Sequence, residues 1–143
     1  MIGSRRLADV RAGDEIGPLP RLVTREAISA YAHASGDLNP LHRDDDVART
    51  AGFPSVIAHG MFTMGHLATC VAEWAGDAAS VIRLSVQFRA PVFPGETIVA
   101  GGRVRGLDEV SCEATLDVWV TVDREGTTGH PIRRGEAVVR LRP

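Results

Sequence analysis

The sequence contains no lysine. All sixteen basic residues are arginine, scattered among eighteen carboxylates for a formal net charge of −2. With no basic block or stripe, general binding to nucleic acid or to an anionic membrane is excluded as the expected role. Aromatic residues are scarce as well, at 5% of a chain that is 44% hydrophobic, so the apolar content rests largely on alanine and valine. Only two cysteines occur, Cys70 and Cys112, in apolar stretches without CxxC spacing. That pattern points to buried, reduced thiols in a cytoplasmic protein. No apolar run suits a bilayer: the longest, Met61 to Ala75, is interrupted by His66 and Glu73 and is shorter than the ~20 residues a span requires. The start, Met1 to Leu7, has no apolar h-region, so no secretory leader is expected. Repeats, low-complexity segments and Gly/Ser linkers are missing too. Residues 1–143 are therefore expected to form one domain, burying roughly 70% of the surface of the unfolded chain without a disulfide or structural metal.

The hydrophobic pattern changes period midway. Thr24 is a good N-cap for a helix in which Ala27, Ile28, Tyr31, Ala32 and Ala34 recur at helical spacing, and Gly36 ends it. Pro40 disfavours helical geometry at Asn39, so 36–42 should be a tight turn. Asp44-Asp45-Asp46 opens a short helix through Ala51, with carboxylates where the helix dipole favours them, and Gly52 closes it. A third helix, Gly60 to Ala75, is apolar over most of its circumference, which predicts a buried central helix. Beyond it the period is two. Ile82, Leu84, Val86, Phe88 and Ala90 alternate with polar residues and predict a strand with one buried face. Further strands are predicted over 97–105, over 110–122 and over 136–142, the last with Ala137, Val139 and Leu141 inward. Thirteen alternating residues from Val110 would reach roughly 43 Å, which implies a strongly curled sheet. One apolar helix and successive one-sided antiparallel strands make an α+β fold in which the sheet wraps around the helix. No GxGxxG follows a strand, so a dinucleotide-binding fold is excluded.

Polar residues able to do chemistry crowd into the turns before the central helix. In Ser35-Gly36-Asp37-Leu38-Asn39-Pro40-Leu41-His42, the turn can converge Asp37 and His42. Together they would form an acid–base pair able to orient and deprotonate a water. Read alone, the same residues are more simply a capped turn and one structural histidine. In Ile57-Ala58-His59-Gly60-Met61, Gly60 would offer a free backbone N–H at a helix N-terminus, a donor suited to a developing oxyanion or simply to a sharp turn.

These two clusters, with Ala48 and Gly52-Phe53 at their spacings, resemble the hydratase-2 motif of the MaoC-like (R)-specific enoyl-CoA hydratase and dehydratase family. A weaker likeness continues through Val86-Gln87-Phe88-Arg89-Ala90-Pro91-Val92 and Pro94-Gly95-Glu96. The finer texture is similar to small actinobacterial beta-hydroxyacyl-ACP dehydratase subunits. The resemblance implies a single hot-dog domain. It implies that Asp37 and His42 are the catalytic pair activating the water added to C3 of a trans-2-enoyl thioester. Gly60 would bind the thioester oxygen, and Asn39, Ser35 and His59 would support the site or the substrate. It further implies no metal or redox cofactor, an acyl thioester of CoA or acyl carrier protein as substrate, and a homodimer, with a heterodimer as the other arrangement.

Rivals to this reading are weaker. A metal site from His42, the Asp44–Asp46 run and His59 lacks HxxxH or CxxC spacing. A serine hydrolase would need a GxSxG elbow. A hot-dog thioesterase would want a carboxylate on the central helix facing the substrate, and Glu73 lies roughly 20 Å along the axis from Gly60. A non-catalytic acyl-thioester-binding or assembly subunit of a heteromeric dehydratase would lack the pair that is present here. Elsewhere, Trp119 falls on the polar face of its strand, as surface or as subunit contact. Arg83, Arg89, Arg133 and Arg134 are either scattered surface charges or contacts to a CoA or phosphopantetheine phosphate. His130-Pro131 reads as a loop, and 52–55 and 75–80 as the loops that shape an acyl tunnel.

Overall fold

In the computed structural model, which describes residues 4–143, helix α1 runs Arg25–Ser35. Thr24 caps it, Oγ1 accepting from Ala27 N at 3.0 Å, and Gly36 closes it at φ 77°. Helix α2, Asp45–Thr50, is capped by Asp44, whose Oδ1 accepts from Asp46 N at 2.9 Å and Val47 N at 3.3 Å. Helix α3 spans Gly60–Ala75 and buries Phe62, Thr63, His66, Leu67, Cys70 and Val71. All three helices stand where their caps and periods place them. Met1, Ile2 and Gly3, part of the stretch read for a leader, lie outside the described residues.

Five strands, β1 Glu15–Leu22, β2 Val81–Ser85, β3 Thr97–Asp108, β4 Glu113–Arg124 and β5 Thr127–Arg140, form one antiparallel sheet in the order β1-β3-β4-β5-β2. Helix α3 touches all five strands. Leu67 and Val71 from the helix join Ile98, Leu116, Val120 and Ile132 from the sheet in a single core. The sheet therefore wraps the helix, as the α+β hot-dog expectation requires.

The strand boundaries depart from expectation in four places, each with a local cause. Strand β1 was hidden by Pro18 and Pro20, which a sheet tolerates at an edge, where β1 lies. Strand β2 stops at Ser85 instead of Ala90. A register shift between Val81 and Arg83 breaks its alternation, and Ile82 and Phe88, expected inward, are 47% and 49% exposed. Strand β3 continues to Asp108, whose Oδ1 accepts from Val110 N at 2.9 Å and Ser111 N at 3.1 Å. That Asx turn delays β4 to Glu113, so Val110 is 98% exposed and Cys112 is half-buried in the turn with φ 56°. The buried-thiol reading thus holds for Cys70 alone, where burial pushes the thiol up to about 11. Strand β5 starts at Thr127, so His130-Pro131 belongs to a bulged strand rather than a loop. Ala137, Val139 and Leu141 do point inward.

One ion pair fixes the segment between β2 and β3. Arg124 on β4 donates to both carboxylate oxygens of Glu96, at 2.6 and 3.0 Å, and to Pro91 O at 2.6 Å. Phe93 N donates to Glu96 Oε1 at 2.8 Å. Burial pushes the Glu96 carboxyl up, but Arg124 and the Phe93 N–H outweigh it and hold the carboxyl below its usual range. A depressed carboxyl contributes stability that is present above its unfolded value, near 4.3, and is lost as pH falls through the lower folded value. Glu96→Gln should therefore cost about 1–2 kcal/mol at neutral pH. In urea unfolding, the mutant and wild-type stabilities should converge as pH falls below about 4.

Candidate active site

The open end of α3 is the centre of the site. Unlike α1 and α2, α3 has no side-chain cap at its N-terminus, because His59 in the cap position makes no hydrogen bond to the helix. Its Nε2 instead bonds the Asp37 carbonyl at 3.0 Å. Among the described residues, nothing accepts from Gly60 N–H. A helix N-terminus left this way presents unsatisfied donors backed by the positive end of the dipole.

The turn between α1 and α2 is organised by its own side chains. Ser35 Oγ accepts from Asp37 N at 3.2 Å, Asp37 Oδ1 accepts from Asn39 N at 3.2 Å, and Asn39 Oδ1 accepts from Leu41 N at 3.0 Å. Asn39 thereby caps the 3₁₀ turn Pro40–His42 that swings His42 inward. Ser35 serves the backbone here. The His42 ring is held by Nδ1 against the Ile57 carbonyl at 2.6 Å, and Leu41 O accepts from Ile57 N at 3.1 Å. A carbonyl only accepts, so Nδ1 carries the proton and Nε2 of the neutral ring is left with a free lone pair.

His42 stacks on His59 with ring centroids 3.7 Å apart and planes 25° apart. Tyr31 of α1 packs on His59 at 4.8 Å and on Phe62 of α3 at 5.8 Å. His42 is thus braced by an aromatic chain rooted in two helices. Tyr31, Phe62 and the Ile57 carbonyl had no signal as site residues in the sequence, since their role depends on which turns meet.

Asp37, His42 and His59 bring side-chain nitrogen and oxygen atoms within 4.8 Å of one another, a span that one bridging water can fill. The same set fits a metal poorly. One nitrogen of each ring is already engaged with a backbone carbonyl, and the ring centroids are stacked 3.7 Å apart, whereas metal–nitrogen bonds of about 2.0 Å lie in the ring planes and must converge on one point.

A cavity of about 400 Å³ opens onto this corner, lined by His42, Phe53, Ile57, Gly60, Thr63 and Phe88 among others. A Cβ on Gly60 would fall 3.1–3.2 Å from three atoms of the Phe88 ring, so the ring roofs the bare glycine. Asp37 is exposed and does not line the cavity; its link to the site is its closeness to His42. Of the two loops expected to shape a tunnel, 52–55 contributes Phe53. The other, 75–80, contributes nothing. Its place is taken by Phe88 to Val92 and by Pro131, which β5 carries to the cavity.

A curled antiparallel sheet around a helix defines an α+β hot-dog protein, and here an Asp/His pair lies beside that helix's uncapped N-terminus. The chain matches the family model for a MaoC like domain over residues 10–125, and it belongs to that family. It is 31% identical over 132 residues to an (R)-specific enoyl-CoA hydratase of Rhodospirillum rubrum, covering 92% of this chain and 88% of the relative. It is also 43% identical over 77 residues to the peroxisomal enoyl-CoA hydratase 2 of Arabidopsis thaliana. That match covers 51% of this chain but 24% of the longer plant protein. A solved MaoC-like dehydratase superposes with a TM-score of 0.86 at 34% identity, covering 97% of this chain and 43% of that one.

The tautomers implied by the carbonyl partners can be read directly. Nitrogen-15 NMR of the neutral rings should show the proton on Nδ1 for His42 and on Nε2 for His59. The opposite assignment for His42 would mean that its Nε2 is not the free base.

Proposed function

We propose that this chain catalyses the (R)-specific addition of water to trans-2-enoyl thioesters, giving (3R)-3-hydroxyacyl thioesters, and the reverse dehydration. The observation that carries this reading is that His42 and the free Gly60 N–H line one apolar cavity, with the Asp37 carboxylate within 4.8 Å of the histidine nitrogens at its edge. In the proposed reaction a water held between the Asp37 carboxylate and His42 Nε2 is deprotonated as its oxygen bonds to C3. The C2=C3 electron pair shifts toward the thioester oxygen, which gains negative charge against the Gly60 N–H. A proton is then delivered to C2, so one water is consumed in all. A single preorganised donor of this kind contributes about 3 kcal/mol to a transition state. The (R) sense and the enoyl thioester follow the names of the relatives. No step calls for a metal or redox cofactor.

The thioesterase reading loses ground because Glu73 is exposed on α3, far from Gly60. A non-catalytic assembly subunit would have no use for a histidine so closely braced. Residues 1–143 are proposed to act as one unit, supported by β1 and β5 lying in the same sheet. The free Cys70 and Cys112 support a reducing, cytoplasmic setting. Among the described residues no helix is long and apolar enough to cross a membrane.

Absorbance of crotonyl-CoA should fall when the protein is added, and Asp37→Asn or His42→Ala should lower kcat/KM by about 10²-fold or more. Unchanged rates in both variants would remove these residues from the mechanism.

The proposal includes a homodimer. Strand β2 is a sheet edge with Ile82 half-exposed and Phe88 half-exposed just beyond it, an unpaired apolar edge of the kind that a second copy covers. Light scattering should give twice the 15.3 kDa chain mass, and Ile82→Glu should shift it toward the single chain.

A further inference from the structure

The arginines around the cavity sort into two groups. Arg105 bonds Asp117 Oδ1 through Nε at 3.0 Å and Glu136 Oε2 through Nη1 at 2.8 Å, and Arg83 bonds the other Glu136 oxygen. Arg124 is committed to Glu96. Arg89, Arg133 and Arg134, by contrast, pair with no carboxylate among the described residues. These three share one groove, whose two carboxylates, Asp117 and Glu136, are already neutralised by Arg105 and Arg83. Arg89 donates through Nη2 only to the neutral amide oxygen of Gln87, so three charges are left without a counter-charge.

Their shared direction is built into the strand. Successive residues on a regular strand face opposite sides, yet Arg133 and Arg134 are both exposed and both line the groove. The register explains this: Val118 pairs with Gly135 and Val120 with Ile132, so both arginines stand opposite the single residue Trp119. This bulge re-aims a side chain, as bulges beside functional sites do. Arg89 is brought to the same place by its backbone, its N–H donating to Pro131 O at 2.9 Å. Arg89 and Pro131 also line the cavity that holds His42 and Gly60. Along β5, Arg133 and Arg134 lie about 7–10 Å beyond Pro131. Reactive corner, Arg89 and the arginine pair thus follow one another outward.

We infer that Arg89, Arg133 and Arg134 seat the phosphate end of the pantetheine arm that carries the acyl group. This inference rests on the thioester reading of the cavity. Arginine forks suit phosphate oxygens, and an anion there completes charges that the fold leaves unpaired. The phosphate is common to CoA and to the phosphopantetheine of an acyl carrier protein.

Calorimetric titration of the full chain with CoA, 4′-phosphopantetheine and pantetheine tests this without relying on turnover. Wild type should bind CoA with an affinity that falls as salt rises, and more tightly than it binds pantetheine. Arg133→Ala/Arg134→Ala should weaken CoA binding about ten-fold or more, flatten the salt dependence and erase the preference over pantetheine. Arg89→Gln should act in the same direction, and Arg133→Lys/Arg134→Lys should recover part of the loss. If the phosphopantetheine affinity depends equally on the arginines, the shared phosphate is what they read. If only CoA does, the arginines read its nucleotide phosphates and the pantetheine-phosphate seat is overturned. CoA bound equally well by the double alanine variant, an equal loss for pantetheine, or no binding of either phosphate compound overturns it. Arginine-dependent CoA binding by a chain that hydrates no enoyl thioester would instead refute the hydratase reading and leave the seat standing.

Discussion

Helix α3 leaves Met61, Gly65, Thr69 and Glu73 exposed along one side, and its opposite, apolar face, with Phe62, Leu67, Cys70, Val71 and Ala75, needs a sheet curled against it to take that face out of water. Five strands do so, and the helix ends become the places where its backbone meets anything polar. At the C-terminal end Gly76 turns back and its N–H satisfies the carbonyls of Ala72 and Glu73. At the N-terminal end nothing equivalent happens, since His59 spends its side chain on the Asp37 carbonyl. The start of the helix thus keeps a free backbone donor beside the cavity, and the cap that would have consumed it is turned to holding the neighbouring turn.

That one bond from His59 couples the two halves of the site. It ties the Asp37 turn to the start of α3, while the Ile57 carbonyl holds His42 and Tyr31 wedges against His59 from α1. Each group is positioned by backbone or by packed aromatic rings, so little conformational freedom remains to be lost when substrate enters. Preorganisation of this sort is where electrostatic catalysis gains most, because donors fixed in advance need no rearrangement as charge develops.

The irregular stretch from Val86 to Glu96 does a different job. A continuous strand there would have turned Phe88 into the core. Instead β2 ends early, and Phe88 roofs Gly60 while Pro91 and Val92 wall the cavity, all tethered by the Glu96–Arg124 pair. The matching irregularity in β5 sends two consecutive arginines outward and brings Pro131 to the cavity. Two departures from ideal sheet geometry thus shape the cavity and its mouth.

Local chemistry made much of this readable in the sequence. Thr24, Asp44 and Gly36 act within a few residues of themselves, so helix limits and the Asp37–His42 turn could be read from spacing, and the family motif lies in those same segments. Alternation from Ala114 to Val122 likewise needs only a sheet with one buried face. Strand β1 and the bulges in β2 and β5 were not readable, because register is set by which strand lies alongside, a long-range choice that period two does not encode. The stacking of His59 on His42, the roof over Gly60 and the convergence of Arg89 with Arg133 and Arg134 join residues far apart in the chain. Residue type and spacing set which groups could do chemistry. Tertiary structure alone decided which of them meet, because packing around α3 sets the distances between turns that local propensity leaves free.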